Sequence, residues 1–310
     1  MAGRFIISLD CEGKWGMADC LTAHHHRFLK RETLIAAYEK ILLLFERHEI
    51  PATFGFVMSF TLSEDERREI GDRLCDVEVE GRNWLRYFRE AEASGDTDGW
   101  FCPEALDMVR ARPEHEIGSH GFCHAPLAET AIARDAAAHE IASAWEVARM
   151  KGLALKTFIY PRNQIGYLDA LGASGYGGYR ARPPQLPGKI GRIANLAAEL
   201  NVLTKSQSAE PNRAGMITIP SGYFLNWRRG ARAAIPAAVT RLRWRRILAD
   251  AARHERTAHV FLHPHNIIDA PSTADLLDDL LREAARLRAA GELEIMTQAD
   301  YCALQAAAAA

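Results

Sequence analysis

The sequence reads as an α/β chain whose parallel sheet curls towards a barrel, and three features carry that expectation. Short apolar runs alternate with amphipathic segments from end to end, as β–α units joined by right-handed crossovers do. Polar clusters directly follow four of the runs, where parallel strands hand over to the loops of one face. At 310 residues without internal repeats, the length suits a barrel better than an open sheet.

Arg4 to Leu9 is an apolar strand that stops at Asp10-Cys11-Glu12-Gly13. Arg31 to His48 carries Leu34, Tyr38, Ile41, Leu42 and Phe45 at helical spacing. Pro51 introduces a strand over Ala52 to Phe60. Residues 61–100 are charged and irregular, a helix and an insertion loop. Pro103 to Val109 reads as a short helix, and Glu116 to His120 as a strand running into a loop. Ala128 to Lys151 is a long helix closed by Gly152. Thr157 to Tyr160 is a strand stopped by Pro161, Leu168 to Ala173 a helix, and Tyr176 to Arg180 a strand. Residues 183–236 turn to proline, glycine and polar types, an elaborated loop region. A helix (Ala237 to Glu255), a strand (His259 to His263), a helix (Ser272 to Ala290) and a strand (Leu293 to Met296) complete the series. The expectation is one catalytic domain over residues 1–302, with insertions at about 61–100 and 183–236. Residues 303–310 are expected as a disordered tail.

Thirty-eight basic and 40 acidic side chains leave a net charge of −2. That balance argues against nucleic acid as a partner and makes any anion site a local one. No apolar run approaches the ~20 residues a membrane span needs, so any membrane contact is peripheral. The first ten residues lack the pattern of a signal peptide. Six cysteines without a Cys-x-x-Cys pair suit a reducing compartment, and a cytoplasmic location is expected.

The four strand-end clusters are Asp10/Glu12, His120/His124, Arg162 and His263/His265. His120 and His124 are four apart, so one helical turn would aim both imidazoles at a single ion. Two histidines also fall at that spacing by chance, and the reading needs a carboxylate, Asp10 or Glu12, to complete the shell. Such a donor set suits Zn²⁺, with Co²⁺, Ni²⁺ or Mn²⁺ as alternatives. His24-His25-His26 reads as a solvated loop, since adjacent side chains cannot share a face. Trp15, Tyr160, Tyr223, Phe224 and Trp227 are candidate stacking partners or core aromatics, and only Trp227, in its polar setting, leans towards ligand.

The motifs resemble those of the polysaccharide deacetylase superfamily, carbohydrate esterase family 4 with its NodB-homology domain. His115-Glu116-Ile117-Gly118-Ser119-His120-Gly121-Phe122-Cys123-His124 is similar to its histidine motif, and Ser8 to Gly13 stands where its aspartate motif stands. Tyr160-Pro161-Arg162-Asn163-Gln164 looks like the arginine motif and Phe261 to Asn266 like the last, histidine-bearing one. The variants Pro-Arg-Asn-Gln and His-Pro-His-Asn look most like the branch found with surface-polysaccharide and O-antigen biosynthesis.

The resemblance implies a distorted (β/α)7 barrel and metal-dependent removal of an N-acetyl group from an amino sugar. It implies Asp10 as the base that takes a proton from water, His263 as the acid that protonates the amine, and Arg162 as the group holding Asp10. The family pattern has two adjacent aspartates, whereas here Cys11 takes the second place and Glu12 follows. Glu12 is therefore expected as the metal ligand beside His120 and His124. The open alternatives are an exchange of roles with Asp10, ligation by the Cys11 thiolate, or a degenerate site without metal. His265 is expected to border the site or anchor its loop.

Seven arginines between Arg228 and Arg246, with no acid among them, suggest a phosphate site, or else a solvated face balanced by Asp275 to Glu283. The expected substrate is thus an N-acylated amino sugar on a nucleotide or lipid carrier, touched by Trp227, Arg228, Arg229 and His265. N-deformylation, or sugar binding without catalysis, are the alternatives.

Overall fold

The computed structural model describes residues 2–74, 76–183 and 196–309. Cys75 and residues 184–195 of the second expected insertion lie outside it. The strands are β1 (Gly3–Cys11), β2 (Thr53–Phe56), β3 (Glu78–Val79), β4 (Arg82–Asn83), β5 (Glu116–Ser119), β6 (Thr157–Phe158), β7 (Gly178–Arg180), β8 (Ile217–Ile219), β9 (Tyr223–Phe224), β10 (Thr257–Leu262) and β11 (Leu293–Met296). All but β3 and β4 join one parallel sheet in the order β8-β7-β6-β5-β2-β1-β10-β9, curled into a half-barrel of the TIM-like type. One edge of β1 is shared: β11 pairs with Gly3 to Ile6 and β2 with Ser8 to Cys11.

This centre follows from the sequence. Phe5, Ile6, Ile7 and Leu9 are fully buried, as a strand covered on both faces requires, and each contributes roughly 1.5–3 kcal/mol by leaving water. The helix Arg31–His48 lays Tyr38 and Phe45 against Phe54 and Phe56 of β2, with ring centroids 6.0–6.4 Å apart. The helices Ala237–His254 and Ser272–Ala289 pack on each other, and their apolar faces, with Trp244, Ile247, Leu277 and Leu281, are buried. No described helix is long and apolar enough to cross a membrane.

Four expectations change. The strand expected to reach Phe60 ends at Phe56, and Met58–Thr61 forms a 3-10 turn. The region 183–236 contributes β8 and β9 to the sheet, because Ile217–Ile219 continues the curl beyond β7. The histidine run lies on the helix Ala23–Phe28, capped by Thr22. Residues 303–309 continue the helix Gln298–Ala309 instead of fraying. Asp300 and Thr297 cap its start reciprocally, and alanine is the best helix former.

Candidate active site

β1 delivers two carboxylates to one mouth of the sheet. Residues i and i+2 of a strand face the same way, so Asp10 and Glu12 point together and Cys11 points away. Cys11 packs its Sγ 3.6 Å from the Leu9 carbonyl, and burial pushes its thiol well above the usual range. Pointing away from the mouth, Cys11 belongs to neither group of converging donor atoms among the described residues, and that placement argues against thiolate ligation.

Asp10 is buried and doubly bonded. Arg180, at the end of β7, donates Nη1–H to Oδ1 at 2.7 Å and Nη2–H to Oδ2 at 2.8 Å. The same guanidinium reaches Ser8 Oγ at 3.2 Å and Asn163 Oδ1 at 3.1 Å, and lies over the Phe261 ring. Burial opposes the charged carboxylate, but Arg180, His120 and His263 outweigh it, and the Asp10 pKa is lowered. Arg162, the partner expected from the sequence, is elsewhere. Its backbone is left-handed (φ 55°), which turns the guanidinium onto both oxygens of Asp19 and over the Trp84 ring.

Glu12 Oε2 lies 3.0 Å from His124 Nε2 and 3.5 Å from His120 Nε2, and the two imidazole nitrogens are 3.1 Å apart. His120 Nδ1 faces the Ile159 carbonyl at 2.8 Å. A carbonyl only accepts, so Nδ1 carries a hydrogen and Nε2 is the nitrogen turned to Glu12 and His124. Burial, against the pull of Glu12, holds His124 down to about 4, so it is neutral at pH 7. Glu12 stays ionised: His263 and His124 overcome the cost of its burial. Two imidazoles and a carboxylate converging on one point are a divalent-metal donor set. The chemistry of these residues therefore fits the implied metal.

The four-residue histidine spacing works, but not through a helical turn. Gly121 (φ 83°) and His124 (φ 63°) break any helix there. The loop instead wraps the buried Glu140 carboxylate, which accepts N–H bonds from Phe122, Cys123 and Ala125 at 2.8, 2.9 and 3.2 Å. Glu140 holds the loop that carries His120 and His124 from beneath, and nothing in its helical sequence context announced that role. Arg180 had a readable signal, a charge closing an apolar strand level with the other polar clusters.

His263 follows β10 and stands half-buried, its Nε2 3.6 Å from Glu12 Oε1 and 4.0 Å from Asp10 Oδ2. Asn266 Oδ1 accepts the His263 backbone N–H at 3.0 Å, so it is the amide oxygen, and it also accepts from His263 Nδ1 at 3.3 Å. His265 is buried, with its ring stacked on His263 at 4.9 Å.

Trp227 sits edge-on to His265 and donates its indole N–H to Asp269 at 2.9 Å. Arg229 pairs with the same Asp269 at 2.9 Å, and Arg228 donates to the Ile235 carbonyl at 2.8 Å. Arg232 and Arg243 share Glu199, and Arg241 pairs with Asp279. Acids thus meet four of the seven arginines, Arg229, Arg232, Arg241 and Arg243; the Arg241–Asp279 pair is the balance by Asp275 to Glu283 that the sequence offered as the alternative to a phosphate site, whereas Glu199 and Asp269 come from elsewhere. Trp15 and Tyr160 are core residues that donate to the Trp100 and Gly166 carbonyls. Phe224, 5.5 Å from the His263 ring, borders the site. On the Arg162 side opens a cavity of about 350 Å³ whose lining includes Arg82, Trp84, Arg86, Tyr87 and Arg162 together with the acids Asp19 and Glu80. The Trp84 ring lies 6.5 Å from that of His124.

No protein-family model matches the sequence, and no curated protein does. Solved structures share the fold. A putative polysaccharide deacetylase from Mycobacterium smegmatis aligns over 97% of this chain and 90% of its own, with 12% identity and a TM-score of 0.60. PuuE allantoinase aligns over 97% and 89%, with 14% identity and a TM-score of 0.54. The 4-alpha-glucanotransferase from Thermococcus litoralis aligns over 98% of this chain but 40% of its own, with 12% identity and a TM-score of 0.51.

Proposed function

We propose that this chain is a metal-dependent amidohydrolase, a single catalytic domain over residues 1–302. It removes the N-acetyl group of an amino sugar on a nucleotide- or lipid-linked precursor of a surface polysaccharide, in the cytoplasm. The observation that carries the proposal is one constellation: ionised Asp10 clamped by Arg180, beside the Glu12, His120 and His124 donor set, with His263 facing both. The fold shared with the Mycobacterium smegmatis putative polysaccharide deacetylase supports it.

Glu12, His120 and His124 would hold the divalent ion, zinc before cobalt, nickel or manganese. When bound it supplies Lewis acidity towards the amide carbonyl and the attacking water. Asp10 takes the proton of that water on a carboxylate oxygen that still has a lone pair beside its Arg180 bond. Arg180 keeps the carboxylate charged and fixes its plane through two parallel N–H bonds. His263 protonates the departing amine nitrogen from Nε2, the ring oriented by Asn266. Base and acid each supply about 10²–10⁴-fold. The sugar rests against Trp84 and Tyr87 of the adjoining cavity, and the carrier's phosphate meets Arg82 there, Arg86 and Arg162 being already paired with Glu90 and Asp19.

The test is mass spectrometry of N-acetylated and N-formylated sugar nucleotides and lipid-linked sugars incubated with the protein and Zn²⁺. Loss of acetyl from one of them is expected. Loss of formyl alone would make the chain a deformylase, and no loss from any would leave a sugar-binding protein.

A further inference from the structure

Glu12 has two carboxylate oxygens, and they face different histidines. Oε2 faces His120 and His124, whereas Oε1 lies 3.6 Å from His263 Nε2. On that second side, one donor atom each from Glu12, His263 and His265 lies within 4.8 Å of the others. Neither histidine of this second group belongs to the ion site described above.

The local bonding makes the second group a donor set as well. Asn266 Oδ1 is fixed as an acceptor by the His263 backbone N–H, so Nδ1 carries a hydrogen and Nε2 is the nitrogen turned towards Glu12, where an ion can take the place of its proton. The short turn Pro264–Ile267 brings His265 back against His263, with the ring planes 19° apart. His265 is only 2% exposed, and Phe28 and Trp227 flank it, with ring centroids 6.3 Å away. A buried imidazole in an apolar wall beside a carboxylate and a second imidazole matches borderline divalent ions such as Zn²⁺ or Co²⁺.

We propose that Glu12, His263 and His265 form a second divalent-ion site that shares Glu12 with the first. Filling it occupies His263 Nε2. On the reading of His263 as the proton donor, excess metal then silences the enzyme by taking its acid, while the first ion is what activates it.

The experiment is equilibrium dialysis of the metal-stripped full chain against rising Zn²⁺, with bound metal measured by mass spectrometry. Co²⁺ absorption spectra run in parallel. Wild type is expected to take two ions per chain in two steps. His265→Phe, which keeps a flat ring in the wall, is expected to take one, and His120→Ala/His124→Ala to keep only the second. A wild-type plateau at one ion would overturn the second site and leave the proposed hydrolase untouched. A second ion that survives in His265→Phe would also overturn it. Two ions without loss of any acyl group would overturn the hydrolase and leave the second site standing. If His265→Phe does not fold, the wild-type plateau and a second Co²⁺ band still decide.

Discussion

Arg180→Met tests the electrostatic element on which the active-site reading turns. The Arg180 and Asp10 side chains are 0% and 5% exposed, joined by bonds of 2.7 and 2.8 Å. Removing the guanidinium strands a buried carboxylate, which costs about 3–5 kcal/mol. Methionine keeps much of the contact with Phe261, so little of that cost comes from a cavity. An unfolding entropy near 2.1 cal/mol/K per residue, over 310 residues, gives about 0.65 kcal/mol/K. The melting temperature should therefore fall by roughly 5–8 °C. Arg162→Met is the control. Its pair with Asp19 is about one-third exposed on both sides, and such pairs contribute at most ~1 kcal/mol, a shift below roughly 2 °C. Calorimetry at pH 7 should include Asp10→Asn and the double variant. Removing both partners should cost less than the two single costs added, by about 0.5–3 kcal/mol. An Arg180→Met melting point within about 1 °C of wild type, or a larger loss for Arg162→Met, would refute the assignment of Arg180 as the partner of Asp10.

Asp10→Asn should keep its bound metal while turnover falls ~10²–10⁴-fold, whereas Glu12→Gln should lose metal in the same dialysis; the opposite pattern would exchange base and ligand. Gly16→Ala should weaken metal binding ~10-fold or more, as disturbed ligand support does, because its Cβ would strike the Glu12 carboxylate; unchanged affinity would show that Glu12 has another rotamer of equal use. His115, behind the sheet and away from the site, is held down to about 4 by burial. The unfolded chain takes up its proton near 6.5 and the folded one resists, so stability should decline as pH falls from 6.5 towards about 4. His115→Gln should flatten part of that decline in urea-unfolding midpoints, and an identical slope would count against it.

Much of the site was legible because strand ends are legible. An apolar run that stops at a polar group marks where a buried parallel strand hands over to the loops of one face, and β1 and β10 do so, while β5 was marked by the histidines after it. Pairing across the sheet was not legible. Arg180 meets Asp10 across 170 positions of sequence, and in the sheet order β6, β5 and β2 stand between β7 and β1. Only the curl brings those ends together, and no local pattern reports curl. Among the arginines after residue 227, the pairing with Asp279 was within the sequence's reach, but Glu199 and Asp269 were not, since they arrive from other elements.

The displaced carboxylate had its explanation in the sequence all along. Two adjacent acids at the end of a strand would point to opposite faces unless the chain turned between them. β1 runs straight through Cys11, so the residue that shares a face with Asp10 is Glu12. Beyond it, Gly13 adopts φ 51°, a left-handed conformation open to glycine, and starts the 3-10 turn Gly13–Met17. That turn brings Gly16 over the Glu12 side chain, and the missing Cβ is the space the carboxylate occupies. The string Asp-Cys-Glu-Gly-Lys-Trp-Gly therefore specifies the offset ligand as a unit. The cysteine fills the core, the first glycine turns the chain, and the second leaves room for the glutamate to reach the histidines.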